Sequence, residues 1–299
     1  MASSSALVGL DIGGSKTAGL RVEAGEVVRE AEAGSASLVS VGEAEAGRQL
    51  DALLERLGRD GVAAVCAGAA GADSPEGVAR LARLLGERLP GAAVRVVHDT
   101  QLILAAAEVE AGVAVIAGTG SVAWGIRLDG VHARAGGWGY LLGDEGSGYG
   151  VAREAVRQVL GELDRAEPVG PLAERLLADC GLARREHLLD HFYATPERRY
   201  WAQRARVVFE LEDEAACRHI AEGAADALTG LAATVAGRLG LAGPVVLAGG
   251  LAVHQPRLQE LVRERLGERG IRDVRVLDKA PVLGAVRLAE RLPPVVEEP

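Results

Sequence analysis

The sequence predicts an α/β protein made of two related halves, each a mixed sheet covered by helices. Three observations carry that expectation. A strand–turn–strand unit occurs twice, short apolar runs alternate with amphipathic helical stretches between the copies, and a long helical segment leads into a closing strand–turn–helix. The first copy is ALVGLDIGGSKTAGLRVEAGEVV, where an apolar strand enters a Gly/Ser/Thr turn and the chain doubles back. Roughly a hundred residues later GVAVIAGTGSVAWGIRLDGVHARA repeats the plan, with Gly120-Ser121 falling on Gly14-Ser15 and Asp129-Gly130 giving a two-residue hairpin signal.

Between the copies, LDALLERL and VARLARLLGERL have helical spacing, while VAAVCAG and VRVVHD are short buried-type strands. From residue 151 to about 240 the pattern is mostly helical, and Ile220, Ala224, Leu228, Leu231, Val235 and Leu239 mark one long stripe. PVVLAGGLA then returns as strand, Gly-Gly turn and helix, and VRVLDKAPVLGAVRLAERL closes with a strand and a last helix.

A chain of 299 residues is long enough for two domains, and 48% apolar with 25% charged residues is an ordinary globular mix. A net charge of −9 argues against nonspecific nucleic-acid binding, which needs a basic face. No apolar run approaches the roughly 20 residues of a membrane span. The start, MASSSALVGLDIGG, has neither the charged region nor the apolar core of a signal peptide. Cys66, Cys180 and Cys217 lie far apart without a CxxC, which suits a reducing compartment rather than a disulfide framework or zinc site. A cytoplasmic protein without nucleic-acid or membrane partners is expected.

DIGGSKT sets Asp11 near a strand end, followed by Gly13, Gly14, Ser15, Lys16 and Thr17. Backbone N–H groups without an intervening Cβ can approach phosphate oxygens, and the hydroxyls and Lys16 add donors. Asp11 can hold Mg²⁺ through water, because Mg²⁺ keeps much of its hydration shell. Gly118-Thr119-Gly120-Ser121 and Gly249-Gly250 are two further turns of the same type. Each alone is a weak signal; three at strand ends in both halves are a stronger one. No GxxxxGK[ST] loop is present.

VRVVHDTQLILAAA ends a strand at His98-Asp99-Thr100 and opens a helix. Asp99 reads equally well as a helix N-cap or as a general base toward a hydroxyl that attacks a phosphoryl group. In GGWGYLLGDEGSGYG, residues 136–150, seven of fifteen positions are glycine, beside Trp138 and the acids Asp144 and Glu145. Bare backbone, the large Trp138 ring and two acids can line a flat, hydroxyl-rich ligand. They can also pack a lobe and cap the helix that follows.

Taken in order, DIGGSKT, the strand ending in HD, GTGS, GGWGYLLGDEGSGYG and the late LAGG resemble the N-acetylglucosamine kinase and glucosamine kinase family. That family is a BadF/BadG/BcrA/BcrD-type branch of the actin, Hsp70 and sugar-kinase superfamily. The resemblance runs through nearly the whole chain. It implies two RNase H-like lobes of actin-like ATPase type with a central ligand cleft. The N-terminal lobe would span residues 1–108. The C-terminal lobe would span 109–299, with a helical insertion and a last helix able to pack back on the first lobe. It further implies ATP and Mg²⁺ as cofactors, an amino sugar as substrate and a homodimer as assembly. Asp99 would be the base acting on the sugar 6-hydroxyl. DIGGSKT and GTGS would hold phosphates and Mg²⁺, and Gly249-Gly250 would lie beside the adenosine. Ser121, Trp138 and Asp144 would contact the sugar, with Gly71 of GAAGAD at the matching turn.

One departure stands out. The family's GPAN…VG pattern offers an asparagine to the sugar, whereas this chain reads GSASLVSVG with Ser37 at that place. Serine cannot present donor and acceptor together as an amide does, so N-acetylglucosamine, glucosamine and related hexoses all stay open as substrates. An ATPase that activates a dehydratase through an iron–sulfur cluster would need well-placed cysteine ligands. A catalytically weak sugar sensor is disfavoured by the presence of both Asp11 and Asp99. His187 and His191 share helical spacing without a third ligand, and ERRYWAQRAR followed by ELEDE reads as a charged helical surface or subunit contact rather than a nucleic-acid site.

Overall fold

The computed structural model describes residues 5–14, 16–71 and 74–293. In chain order the elements begin with β1 (Ala6–Ile12), β2 (Lys16–Glu23), β3 (Glu26–Gly34), α1 (Leu38–Leu57), β4 (Val62–Ala69), α2 (Pro75–Arg88), β5 (Ala93–His98) and α3 (Asp99–Ala106). The second copy supplies β6 (Gly112–Ala117), β7 (Ser121–Ile126) and β8 (His132–Gly136). The helical stretch contains α4 (Gly148–Asp164), α5 (Pro171–Cys180), α6 (Leu188–Ala194), α7 (Arg198–Arg204), α8 (Arg206–Glu210) and α9 (Ala215–Leu239). Last come β9 (Val245–Ala248), α10 (Gly250–His254), α11 (Pro256–Glu268), β10 (Val274–Val276) and α12 (Pro281–Glu290). The chain forms two compact units, one of residues 1–110 and 278–299, the other of residues 111–277.

The first unit holds a five-stranded sheet in the order β3-β2-β1-β4-β5, with β1 antiparallel to β2 and parallel to β4. The second holds the equivalent sheet, β8-β7-β6-β9-β10, with β6 antiparallel to β7 and parallel to β9. Both are mixed sheets flanked by helices, the RNase H-like arrangement of actin-like ATPases and sugar kinases. The duplication read from the sequence is therefore a duplication of topology. The turns differ in length: Gly13 N–H bonds Lys16 O, but Gly118 N–H bonds Gly120 O, so the second turn is one residue tighter. The hairpin at Asp129-Gly130 also differs from the two-residue expectation. Gly130 N–H bonds Arg127 O and Arg127 N–H bonds Val131 O, so the loop is Leu128–Gly130 with Gly130 left-handed, and it absorbs one extra residue.

Side-chain alternation along β1 decides what the first unit offers to chemistry. Ala6, Val8, Leu10 and Ile12 join the core with Leu50, Leu53, Leu54 and Leu57 of α1 and Leu81 and Leu85 of α2. Leu7, Gly9 and Asp11 therefore face the other side, where α12 packs: Leu7 lies against Ala285, Val282 and Val286. A Cβ at Gly9 would stand 2.7 Å from Val286 Cγ2. Every Phe, Tyr and Trp of the chain lies in the second unit, so the first unit's core has none of these rings. In the second unit α9 covers β6, β7 and β8 with Ala232, Val235, Ala236 and Leu239, and no helix among the described residues is long and apolar enough to cross a membrane.

The tightest joint of the first unit is Gly284 of α12, where a Cβ would overlap the Leu102 carbonyl oxygen. Backbone cannot rotate out of such a clash as a side chain does. Gly284→Ala is expected to destabilise the first unit by about 1–3 kcal/mol or more. Chemical denaturation followed by circular dichroism should record the loss, and tryptophan fluorescence, which reads only the second unit, should record little of it.

Candidate functional site

In the first unit the DIGGSKT turn sits between β1 and β2, and its Gly13 amide closes the turn on Lys16 O. Ser15 lies outside the described residues. Lys16 is exposed and ion-paired to Glu32 at 2.5 Å, so its ammonium sits at the rim of the turn. Thr17 corrects the expectation of a phosphate-facing hydroxyl. It is fully buried, and its Oγ1 accepts the Ala36 N–H at 2.9 Å, because it begins the inward-facing row of β2.

Asp11 and Asp99 are the two acids this unit brings together. Burial, followed by the nearby Asp99 carboxylate, raises the Asp11 carboxyl to about 6, with Lys16 pulling the other way. Asp99 is not the helix cap. His98 is the N-cap of α3, and its Nδ1 accepts the Thr100 N–H at 3.3 Å. The same Nδ1 lies 2.7 Å from Thr100 Oγ1 and 2.9 Å from Asp99 Oδ1, so the ring tautomer decides which of them it bonds. Asp99 Oδ1 is buried against this ring, while the side chain as a whole is about a quarter exposed. Helix geometry thus relieves Asp99 of capping and leaves its carboxylate partly accessible.

Ser37 and Gly71 are adjacent through a serine network. Ser37 is buried and its Oγ donates to Ala70 O at 3.1 Å, while Ser40 Oγ reaches Ser37 Oγ at 3.3 Å. Ser35 Oγ donates to Gly13 O at 2.7 Å and also accepts the Ser37 N–H at 3.2 Å. The GSAS segment therefore braces the first glycine turn, and the Ser37 hydroxyl is already engaged within the protein. Gly71 is left-handed, at φ +80°, under the exposed side chain of Val39.

In the second unit the remaining two glycine turns abut. Gly249 is left-handed at φ +89°, and a Cβ there would stand 2.6 Å from Ala117 O, so only glycine lets the β9–α10 turn close on the β6–β7 turn. Beside them lies a cavity of about 410 Å³ lined by Gly118, Thr119, Arg199, Gln203, Gly250 and His254, among others. Arg199, Gln203 and Arg206 were missed as site residues. They lie on α7 and α8 within the charged run ERRYWAQRAR, and their spacing, a single helix face, was the signal that could have found them.

The GGWG and GDEGS segments behave differently from each other. Trp138 is 67% exposed, with Arg134 Cζ 5.2 Å from its ring centre, so it does not pack the lobe. Asp144 is 6% exposed, and its Oδ1 accepts the Ser121 N–H at 3.1 Å. Neither Asp144 nor Glu145 caps α4. Ser147 does, its side chain accepting the Gly150 N–H at 3.0 Å. Three of the glycines here admit other backbone, Gly146, Gly148 and Gly150: a Cβ at Gly150 would stand 2.6 Å from Asp144 O.

Other candidates resolve into structural roles. Cys66 and Cys217 are buried free thiols, pushed up by that burial to about 12 and about 11, and Cys180 is free as well. Such thiols do not supply thiolate ligands near neutral pH. His191 Nε2 lies 2.7 Å from the Tyr200 hydroxyl. No group of three or more His, Cys, Asp or Glu among the described residues converges as a metal cage. Mg²⁺ does not need one, being held by one or two carboxylates with waters and phosphate oxygens, which the Asp11–Asp99 pair fits.

A profile of the BadF/BadG/BcrA/BcrD ATPase family matches residues 8–289. The chain is 33% identical over 196 residues to the N-acetylmuramic acid/N-acetylglucosamine kinase of Clostridium acetobutylicum, a match covering 62% of this chain and 64% of that protein. It is 30% identical over 243 residues to the N-acetyl-D-glucosamine kinase of Dictyostelium discoideum, covering 76% and 75%. A crystal structure from Porphyromonas gingivalis superposes with a TM-score of 0.76 at 22% identity, over 96% of this chain and 99% of that one.

The raised Asp11 carboxyl is directly measurable. It should titrate with a midpoint near 6 in a carboxyl-resolved NMR experiment. A proton then binds the folded state more tightly than the unfolded chain, so this group's contribution to stability falls as pH rises from the ordinary carboxylate range through about 6. Asp99→Asn removes the neighbouring charge and should lower the midpoint, without restoring the ordinary value, because burial is the larger cause.

Proposed function

The chain belongs to the BadF/BadG/BcrA/BcrD ATPase family, and we propose that it is an ATP-dependent kinase that phosphorylates the 6-hydroxyl of an amino sugar. N-acetylglucosamine or glucosamine is the preferred substrate class, in keeping with the kinases it resembles. The observation that carries this reading is Asp99, a partly exposed carboxylate relieved of capping by His98 and close enough to Asp11 to raise it. A sugar hydroxyl donates to this carboxylate, which then takes its proton as the hydroxyl attacks the γ-phosphoryl group in line. Phosphoryl transfer needs mainly positioning and charge stabilisation, so one oriented base suits the reaction.

The remaining roles follow from the placements above. Asp11 holds Mg²⁺ through water, and Mg²⁺ supplies neutralising charge to the phosphates when bound. Gly13, Gly14 and Lys16, and in the second unit Gly118, Thr119 and Gly120, receive phosphate oxygens. The cavity beside Gly249 and Gly250 takes the nucleoside, with Arg199 at its wall. Exposed Trp138 and buried Asp144 form the wall offered to the sugar, with Ser121 beside Asp144. The engaged Ser37 hydroxyl contributes no amide-like recognition, which favours tolerance at the sugar nitrogen. Three free cysteines suit the reducing compartment of a cytoplasmic enzyme.

The first measurement is ADP release from Mg-ATP with N-acetylglucosamine, glucosamine, N-acetylmuramic acid, N-acetylmannosamine, glucose and no sugar. Release driven by an amino sugar supports the kinase; release indifferent to every sugar overturns it. Asp99→Asn should keep sugar and nucleotide affinity within a few-fold while turnover drops by roughly a hundredfold or more. Near-normal turnover would remove Asp99 from the base position. Arg199→Ala should raise the KM for ATP roughly tenfold and leave the sugar KM unmoved, as loss of one charge-assisted contact predicts.

A further inference from the structure

Asp144 holds a backbone conformation that a non-glycine residue seldom adopts, φ +64°. An observed outlier of this kind persists only where its surroundings over-determine it, and here they do. Asp144 Oδ1 accepts the Ser121 N–H at 3.1 Å, and the place is open only because position 120 is glycine: a Cβ there would stand 2.9 Å from Oδ2. Ser121 Oγ donates to Glu145 O at 2.7 Å, Gly148 N–H to Gly118 O at 2.7 Å, and Gly137 N–H to Ser121 O at 3.0 Å. The GDEGS segment is thus laced to the GTGS turn, and its carboxylate occupies a backbone N–H at the end of that turn. A carboxylate and a phosphate carry the same sign of charge, so a carboxylate held at the end of the turn repels a phosphate approaching the turn's other amides.

We propose that Asp144 is a resident anion on the phosphate turn, lifted off when the amino sugar engages its carboxylate, so that nucleotide phosphates seat fully only with sugar present. The proposal rests on the sugar-kinase reading above. Asp144 acts as a positioning residue: it couples the two ligands and does not touch the reacting atoms. Coupling of this kind is reciprocal, each ligand tightening the other by the same factor. It also gives the enzyme a reason not to hydrolyse ATP when no sugar is bound.

Calorimetry with Mg²⁺ and the β,γ-imido analogue of ATP, with and without N-acetylglucosamine, measures the coupling. In the wild type the sugar should tighten the analogue by roughly tenfold, within the usual range for coupled sites. In Asp144→Asn, which keeps the shape and an acceptor but loses the charge, the analogue should bind without sugar about as tightly as it binds wild type with sugar. The coupling factor should then fall to about one, with sugar-free ADP release rising relative to sugar-driven release. Gly120→Ala, which crowds the carboxylate off the turn while leaving it charged, should move the coupling factor the same way. Should a variant fail to fold, the wild type alone still decides: sugar without nucleotide should speed hydrogen exchange at the Ser121 amide. An unchanged coupling factor in Asp144→Asn, or a Ser121 amide whose exchange sugar slows or leaves unmoved, overturns the proposal. If the wild type phosphorylates sugars yet Asp144→Asn keeps its coupling, only this proposal falls. If the wild type phosphorylates no sugar, the kinase reading beneath it falls instead.

Discussion

Two carboxylates held near each other and away from bulk water set the terms for the first unit. Asp11 lies near the end of β1, and Asp99 opens the helix that follows β5, on a sheet where β4 runs between those strands. The pair weakens the folded state, because a buried acid beside another acid prefers to keep its proton, as the raised Asp11 carboxyl records. A core without Phe, Tyr or Trp, with α1 and α2 on one face of the sheet and α12 on the other, must hold that arrangement in place. Local rules are broken where chemistry requires it, and the surroundings compensate. The compensations here are specific. Ser35 and Thr17 brace the turn beside Asp11, and His98 takes over the capping that Asp99 would otherwise perform.

Much of the fold was legible because its signals are local and periodic. The repeated strand–turn–strand unit, the apolar run of β4 and the long stripe of α9 each follow from spacing that any sheet or helix imposes. Where the reading failed, the deciding fact was three-dimensional. Thr17 looked like a phosphate donor because hydroxyls after glycines often are, but alternation along β2 turns it into the core. Asp129-Gly130 suggested the shortest hairpin, yet pairing of Ile126 with His132 leaves a longer loop. Arg199, Gln203 and Arg206 looked like one solvated helix face, because nothing in a linear sequence shows that a glycine turn stands opposite.

The glycine-rich segment shows the same limit more sharply. Its composition signals that something must come close, but not what. Against the expectation of a ligand at bare backbone, several of its glycines face other parts of the protein: Gly146 meets Ala224 O of α9, and Gly148 meets Ala202 and Gly118 O. The large Trp138 ring is left exposed. Glycine density here serves chiefly to bring one loop onto another within the second unit, and only the ring and the tip of the loop remain for recognition.

That packing bears on how a two-substrate reaction can be ordered. A turn whose amides were fully free would hold phosphate tightly whether or not an acceptor hydroxyl was present, and water would then be the only nucleophile available. A turn already facing a fixed negative charge holds phosphate less well until that charge finds another partner. The second unit has both parts within one short stretch of structure: a glycine turn, and a buried acid held against it in a backbone conformation that non-glycine residues seldom adopt. If the loop faces the sugar as proposed, the group that would sense one substrate is the group that would obstruct the other. Order of events then follows from electrostatics local to this unit, before any larger motion is considered.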